Sequence, residues 1–222
     1  MCGRYSLTRS LEEIAGHFQA RLAGMNFGPR FNVAPTQTLP VAVAGDAGVE
    51  LRGMRWGLVP AWAKEESIGN RMINARAETV AEKPSFRSSF KMKRCLVPCD
   101  GFYEWVAGEN GKTPHYIHRK DNGLFAFAGL WSEWKGGESP LHTFTIITTE
   151  ANDFLKPLHH RMPVILPPDF YARWLNPKTS AADLHAALKP LAGDLLEFFP
   201  VTKAVNSPKN DSPDCLVPAG EN

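Results

Sequence analysis

Leu141-His142-Thr143-Phe144-Thr145-Ile146-Ile147-Thr148-Thr149 is rich in β-branched residues and reads as a buried strand. Other strand-like segments lie on both sides of it. Thr113–Arg119 and Leu124–Trp131 are predicted to form a hairpin across Lys120-Asp121-Asn122-Gly123, and Leu39–Ala44 and Val49–Trp56 another around Gly45-Asp46-Ala47-Gly48. Cys95–Val97, Gly101–Val106, Met162–Leu166 and Phe198–Lys203 add shorter strands, with Pro98 as an interruption. Leu11, Ile14, Ala15, Phe18 and Leu22 share a face at helical spacing, so Arg9–Gly24 is expected to be a helix. Ser10 and Glu13 would form its capping box, and Gly24 its stop. Further helices are expected over Asp169–Leu175 and Ala181–Leu188, and turn residues mark 28–36. The pattern predicts an α+β fold: a mostly antiparallel sheet that curls into a barrel-like core, flanked by several short helices.

At 222 residues, the chain suits one domain spanning 1–222, with a loose tail from about Asn210. Hydrophobic residues at 43% and charged residues at 22% describe an ordinary globular protein. No apolar run approaches the roughly 18 residues of a membrane span, and none resembles a signal peptide. Four cysteines without such a signal point to free thiols in a reducing compartment, by default the cytoplasm. Net charge is only +2. Its distribution is more informative: Arg71, Arg76, Lys83, Arg87, Lys91, Lys93 and Arg94 cluster mid-chain, and the end of the chain is acidic. This fits one phosphate-binding face, although a solvated charge run has the same composition.

Three places hold chemistry. Cys2 becomes the amino terminus once Met1 is removed, leaving one residue with an α-amine (pKa ~7.7–8.0) and a thiol (pKa ~8.5). Such a pair converts an aldehyde to an imine and then to a thiazolidine. Glu104 sits among aromatics in Gly101-Phe102-Tyr103-Glu104-Trp105, where burial would raise its pKa and make it a proton donor; from the local sequence alone, an outward-facing strand glutamate is the leading reading. His159-His160-Arg161 offers an imidazole beside a fixed cation suited to phosphate. Cys95 and Cys99 lack a matching pair of His or Cys at short spacing, so no metal is expected, and no cofactor fingerprint appears.

Together these stretches resemble the SOS-response-associated peptidase family, whose members are abasic-site processing proteins. The resemblance rests on Met-Cys-Gly-Arg-Tyr at 1–5, Phe-Asn-Val-Ala-Pro-Thr at 31–36, Trp-Gly-Leu-Val-Pro at 56–60 and Asn-Ala-Arg-Ala-Glu-Thr at 74–79. It continues through Arg-Cys-Leu-Val-Pro at 94–98, Gly-Phe-Tyr-Glu-Trp at 101–105, His-His-Arg-Met-Pro-Val-Ile-Leu at 159–166 and Val-Asn-Ser-Pro-Lys-Asn-Asp at 205–211. It implies that Cys2 links covalently to the ring-opened sugar of an abasic site in single-stranded DNA, with catalytic roles for Asn74, Glu104 and a histidine. Counted back from Pro163, that histidine is His159. His160 stands where the family usually has aspartate, and Cys99 where a small residue is expected, which would place a second thiol near the site.

On this reading Arg4, Arg76 and Arg161 meet phosphates, and Pro35, Trp56, Trp62, Phe102 and Trp105 stack on or wedge against bases. Self-removal of Met1, strand-cleaving lyase chemistry and crosslink reversal are further implications, as is action by a monomer on a single strand or a strand junction. Two other readings use the same residues: a Cys2–His159–Asn74 peptidase or amidase acting on peptides, and a non-catalytic single-stranded DNA-binding module with Cys2 idle.

Overall fold

Leu141–Glu150 is a strand buried from Thr143 to Thr149, and the largest sheet is built around it. The computed structural model describes residues 2–109 and 111–220. Strand β1 (Tyr5–Leu7) leads into helix α1 (Leu11–Phe18), followed by β2 (Ala20–Leu22), β3 (Arg30–Val33), β4 (Thr38–Gly45) and β5 (Gly48–Trp56). Next come β6 (Asn74–Arg76), α2 (Arg87–Met92), β7 (Arg94–Cys99), β8 (Gly101–Gly108), β9 (Gly111–Arg119), β10 (Phe125–Trp134) and β11 (Leu141–Glu150). The chain ends with β12 (Arg161–Pro163), β13 (Ile165–Leu166), α3 (Tyr171–Leu175), α4 (Ala181–Ala186) and β14 (Leu196–Pro200).

Among the described residues one sheet runs β14-β9-β8-β1-β3 and the other β12-β11-β10-β7-β4-β5-β2. The second closes on itself, because β5 also pairs in parallel with β11 through Arg55↔Thr143 and Trp56↔Phe144. The expected curled α+β core is therefore present. Most pairs are antiparallel; the parallel ones are β2–β5, β5–β11 and β6–β11. β11 has neighbours along both edges and is covered on both faces, which explains its unbroken burial.

Aromatic side chains fill the interior. Tyr5 lies 5.2 Å from Trp56 and 6.0 Å from Phe127, Phe102 lies 5.8 Å from Phe127, and Trp56 stacks on Phe144 at 6.3 Å. The Trp56 indole donates to the Ile73 carbonyl at 2.9 Å, so its polar edge is also satisfied inside. Gly57 follows with φ at +123°, and a Cβ there would sit 2.6 Å from the Gly69 carbonyl oxygen; both constraints select glycine.

Several sequence expectations are corrected. The first helix keeps its capping box at Ser10 and Glu13 but ends at Phe18. Gln19 turns left-handed, and Ala20–Leu22 pairs with β5 as a strand instead of completing the helix to Gly24. The turn at 120–123 exists, with Gly123 N–H donating to Asp121, but its flanking segments do not pair. β9 joins β8 and β14, whereas β10 joins β7, β11 and β13. The turn thus passes the chain from one sheet to the other and brings Phe125 and Phe127 into the core. The end of the chain is not loose from Asn210: Asp211 accepts from Phe31 and Asn32 N–H at 2.6 and 2.9 Å and pairs with Arg30. Cys215 is buried, Val201 bridges to Pro218, and only residues 221 and 222 of that tail lie outside the described residues. The short strands β1, β3 and β6 and helix α2 were not expected, because each is too short to show a period.

Candidate functional site

Cys2 is fully buried at the entry to β1, which β3 and β8 hold from either side. Asn74 Nδ2 donates to the Cys2 carbonyl at 2.8 Å. That bond requires a donor facing Cys2, so it fixes the orientation of the Asn74 amide. Asn74 Oδ1 is then buried with no hydrogen-bond partner, leaving an unused acceptor beside the cysteine. Asn74 owes its position to β6, which runs along β11 with Asn74 opposite Ile146.

Glu104 lies buried on β8 between Tyr103 and Trp105 in the chain, and burial raises its carboxyl pKa. The Cys2 thiol is pushed well above its ordinary value, by burial first and then by the Glu104 charge. Burial therefore favours the protonated thiol over the thiolate.

His159 is half-buried at the end of a turn in which its own N–H donates to the Leu155 carbonyl at 3.0 Å. The Arg161 backbone N–H donates to His159 Nδ1 at 2.9 Å. The Arg161 carbonyl lies 3.2 Å from the same Nδ1, so in the neutral ring that nitrogen accepts from the N–H or donates to the carbonyl according to the tautomer. Burial lowers the imidazole pKa, which favours that neutral form. His160 is exposed and stacks on His159 at 4.3 Å. It lines a surface cavity of about 380 Å³ with Arg76, Glu150, Lys156 and Arg161.

The surrounding residues divide by exposure. Trp62 is 60% exposed, Arg76 is exposed, and Pro35 and Trp105 are half-buried, so each presents a surface to a ligand. Arg4 is half-buried, donates to Asn32 Oδ1 at 2.7 Å and the Val205 carbonyl at 2.8 Å, and lies 5.7 Å over the Trp105 ring. Trp105 in turn donates to Asn206 Oδ1 at 2.7 Å. Two expectations are corrected here. Trp56 and Phe102 are core residues with no face available to a base. Arg161 is 9% exposed, and its terminal nitrogens bind Glu78 and the Thr148 carbonyl. Cys99 is fully buried like Cys2, and its thiol pKa is raised by burial first and then by the Asp100 and Cys2 charges.

Sequence reasoning missed Glu78, Asn32 and Asp100. Glu78 looked like a stray acid in a basic run. Asn32 donates to the carbonyls of Val205, Ser207 and Asn210, tying 31–36 to 205–211. Asp100 binds Ser6 and accepts from the Thr8 hydroxyl at 2.7 Å, which anchors β1 behind Cys2. Among the described residues no helix is long and apolar enough to cross a membrane, and no group of three His, Cys, Asp or Glu is placed to hold a metal ion.

Residues 1–208 match the model of a family described as SOS response associated peptidase (SRAP). The chain is similar to the abasic site processing protein YoaM of Bacillus subtilis, with 45% identity covering 97% of each chain. It is also 34% identical to the abasic site processing protein HMCES of Gallus gallus, covering 86% of this chain and 67% of that one. A crystal structure of a Bacteroides thetaiotaomicron protein superposes with a TM-score of 0.90 at 29% identity, covering 98% of this chain and all of the other.

Proposed function

The chain belongs to the SOS response associated peptidase family, and on that premise we propose that it processes abasic sites in single-stranded DNA by covalent capture on Cys2. The supporting observation is the buried Cys2 held through its carbonyl by Asn74, with the Glu104 charge felt at its thiol.

Met1 lies outside the described residues, and its removal frees the Cys2 α-amine. An abasic sugar is mostly a closed hemiacetal. Opening it moves the proton of the anomeric hydroxyl to a base and delivers one to the ring oxygen, leaving an aldehyde. Glu104, with its raised pKa, is the group suited to proton transfer near neutrality. His159, whose lowered pKa favours the neutral ring, is the second group for general acid–base work in ring opening and imine formation. The Cys2 amine adds to the aldehyde, water leaves, and an imine forms. The thiol sulfur then bonds to the imine carbon while its proton goes to nitrogen, closing the thiazolidine. Asn74 Oδ1 is the available acceptor for the amine N–H as it attacks.

Ring closure removes the imine that β-elimination needs, so the crosslink protects the strand from lyase cleavage. Proton return from Glu104 to the thiazolidine sulfur reopens the ring and starts reversal. The same four residues, Cys2, Asn74, Glu104 and His159, are the proposed machinery for autocatalytic loss of Met1. Arg4 and Arg76 contact phosphates, and Pro35, Trp62 and Trp105 contact bases. The protein acts as a monomer on single strands or strand junctions, in the cytoplasm and on the nucleoid when DNA-bound.

The test uses purified protein and a single-stranded oligonucleotide with one abasic site, read by denaturing gel and intact mass. A shifted band is expected only with the abasic strand, absent in Cys2→Ala, with Met1 missing from the mass. No band from protein with a verified free Cys2 would sink the reading. Strand cleavage alone would then indicate a lyase, and peptide cleavage in trans an amidase.

A further inference from the structure

We propose that Asn32 is a positioning residue for the DNA-contacting face beside Cys2: its side-chain amide ties the 205–211 segment to one edge of Arg4, and so presents the other edge of that guanidinium to a phosphate. The inference rests on the function proposed above.

Arg4 stands two residues after Cys2 and directly before β1, and its carbonyl accepts from the Tyr103 N–H of β8 at 3.0 Å. Asn32 is fully buried on β3, the strand on the other side of β1. Its partners fix which way the amide points. Arg4 Nη1, which can only donate, gives a hydrogen to Oδ1 at 2.7 Å. Nδ2 donates to carbonyls, which can only accept: those of Asn210, Ser207 and Val205 at 2.7, 3.0 and 3.2 Å. The Asn32 backbone N–H donates to Asp211 at 2.9 Å. One buried residue therefore gathers the whole 205–211 segment.

That segment in turn holds the exposed side of the site. The Val205 carbonyl accepts from the same Arg4 Nη1 at 2.8 Å, and Asn206 Oδ1 accepts from the Trp105 indole at 2.7 Å. The Arg4 guanidinium lies 5.7 Å over that indole, so the cation and the aromatic ring form one unit hung on Val205 and Asn206. Arg4 Nη1 is occupied by two neutral acceptors. Its Nε and Nη2 bond to no described residue, and both reach solvent. Among the described residues no carboxylate pairs with Arg4, and burial lowers its pKa, as expected of a half-buried cation without a counter-charge. The Nε–Nη2 edge is a planar fork that matches two phosphate oxygens. Anchoring Nη1 in advance removes the rotamer freedom that a phosphate contact would otherwise have to freeze.

The experiment measures binding of an undamaged single-stranded oligonucleotide by fluorescence anisotropy over a range of salt. It compares wild type, Asn32→Ala, Arg4→Gln and the double variant. Asn32→Ala is expected to weaken binding several-fold at low salt and to lower the slope of log affinity against log salt by about 0.7, the share of one phosphate on a single strand. In the Arg4→Gln background the same change should alter the slope no further, because Asn32 acts through Arg4. With an abasic oligonucleotide, the DNA concentration for half-maximal crosslinking should rise while the maximal rate stays within about 3-fold. Asn32→Asp, equal in size, keeps the acceptor for Arg4 and loses the donors to the segment. Its carboxylate competes with the phosphate for the guanidinium, so the same loss of slope is expected, and it carries the test if Asn32→Ala does not fold. An unchanged slope in both Asn32 variants overturns the proposal, as does an equal loss of slope with and without Arg4. A fall in maximal rate at an unchanged half-saturating concentration also overturns it. If wild type binds the strand but forms no crosslink, the proposed function fails while the binding comparison still decides the role of Asn32. No salt-dependent binding by wild type would sink both.

Discussion

Asn74 donates its amide hydrogen to the carbonyl of Cys2 at 2.8 Å, tying a side chain on β6 to the second residue of the chain. Cys2 is thus held through its backbone carbonyl, a bond that uses neither its nitrogen nor its thiol. Asn74→Ala removes both the donor and the unused Oδ1 acceptor. Crosslinking is expected to slow by roughly 10- to 100-fold, with a stability loss of about 1–3 kcal/mol from the unpaired carbonyl. Single-turnover gels and urea unfolding separate the two effects.

Burial separates two tryptophans that look alike in the sequence. Trp56→Ala should cost about 3–5 kcal/mol, because the indole fills the centre of the core and its N–H is paired. Trp62→Ala should change stability by no more than about 0.5 kcal/mol. It should weaken single-stranded DNA binding by about 1–3 kcal/mol if its exposed ring stacks on a base. Thermal unfolding and fluorescence anisotropy with an undamaged oligonucleotide give the two readings.

Glu104 and His159 should affect stability in opposite directions with pH. Burial raises the Glu104 pKa, so the folded state holds a proton that the unfolded state releases above the ordinary carboxylate value of ~4.3. Its contribution is full below that value and is lost as pH rises through the folded pKa. Glu104→Gln should therefore gain on wild type as pH rises from 4 towards neutrality. Burial lowers the His159 pKa, so the folded state binds fewer protons below ~6.5. Its contribution is lost as pH falls from there through the folded pKa, and His159→Gln should flatten that acid-side decline. Urea unfolding midpoints across pH 4–8 check both signs.

Asp211→Ala should release the C-terminal segment. The carboxylate accepts from two backbone N–H groups of 31–36 and pairs with Arg30, so its loss should cost about 2–4 kcal/mol. Limited proteolysis should then cut after residue 200 in the variant and leave wild type intact.

The proposed site residues Cys2, Asn74, Glu104 and His159 all lie in stretches that carry the family resemblance, so they could be named from the sequence. Glu78 lies in one too, yet its ion pair was invisible: its partner Arg161 is distant in the chain, and nothing local distinguishes a paired glutamate from a solvated one. The same holds for Asn32, whose carbonyl partners lie beyond Thr202.

The amino-acid order by itself determined what local chemistry can dictate: the buried β-branched strand at 141–149, the capping box at Ser10 and the hairpin from Leu39 to Trp56. Only the tertiary structure decided that 113–119 pairs with β8 and not with 124–131, that β5 closes the barrel on β11, and that Trp56, Phe102 and Arg161 face inward. Strand periodicity specifies which residues share a face, but the choice of partner strand depends on which packing buries the most apolar surface while pairing every buried polar group. That sum runs over the whole chain, and no short stretch contains it.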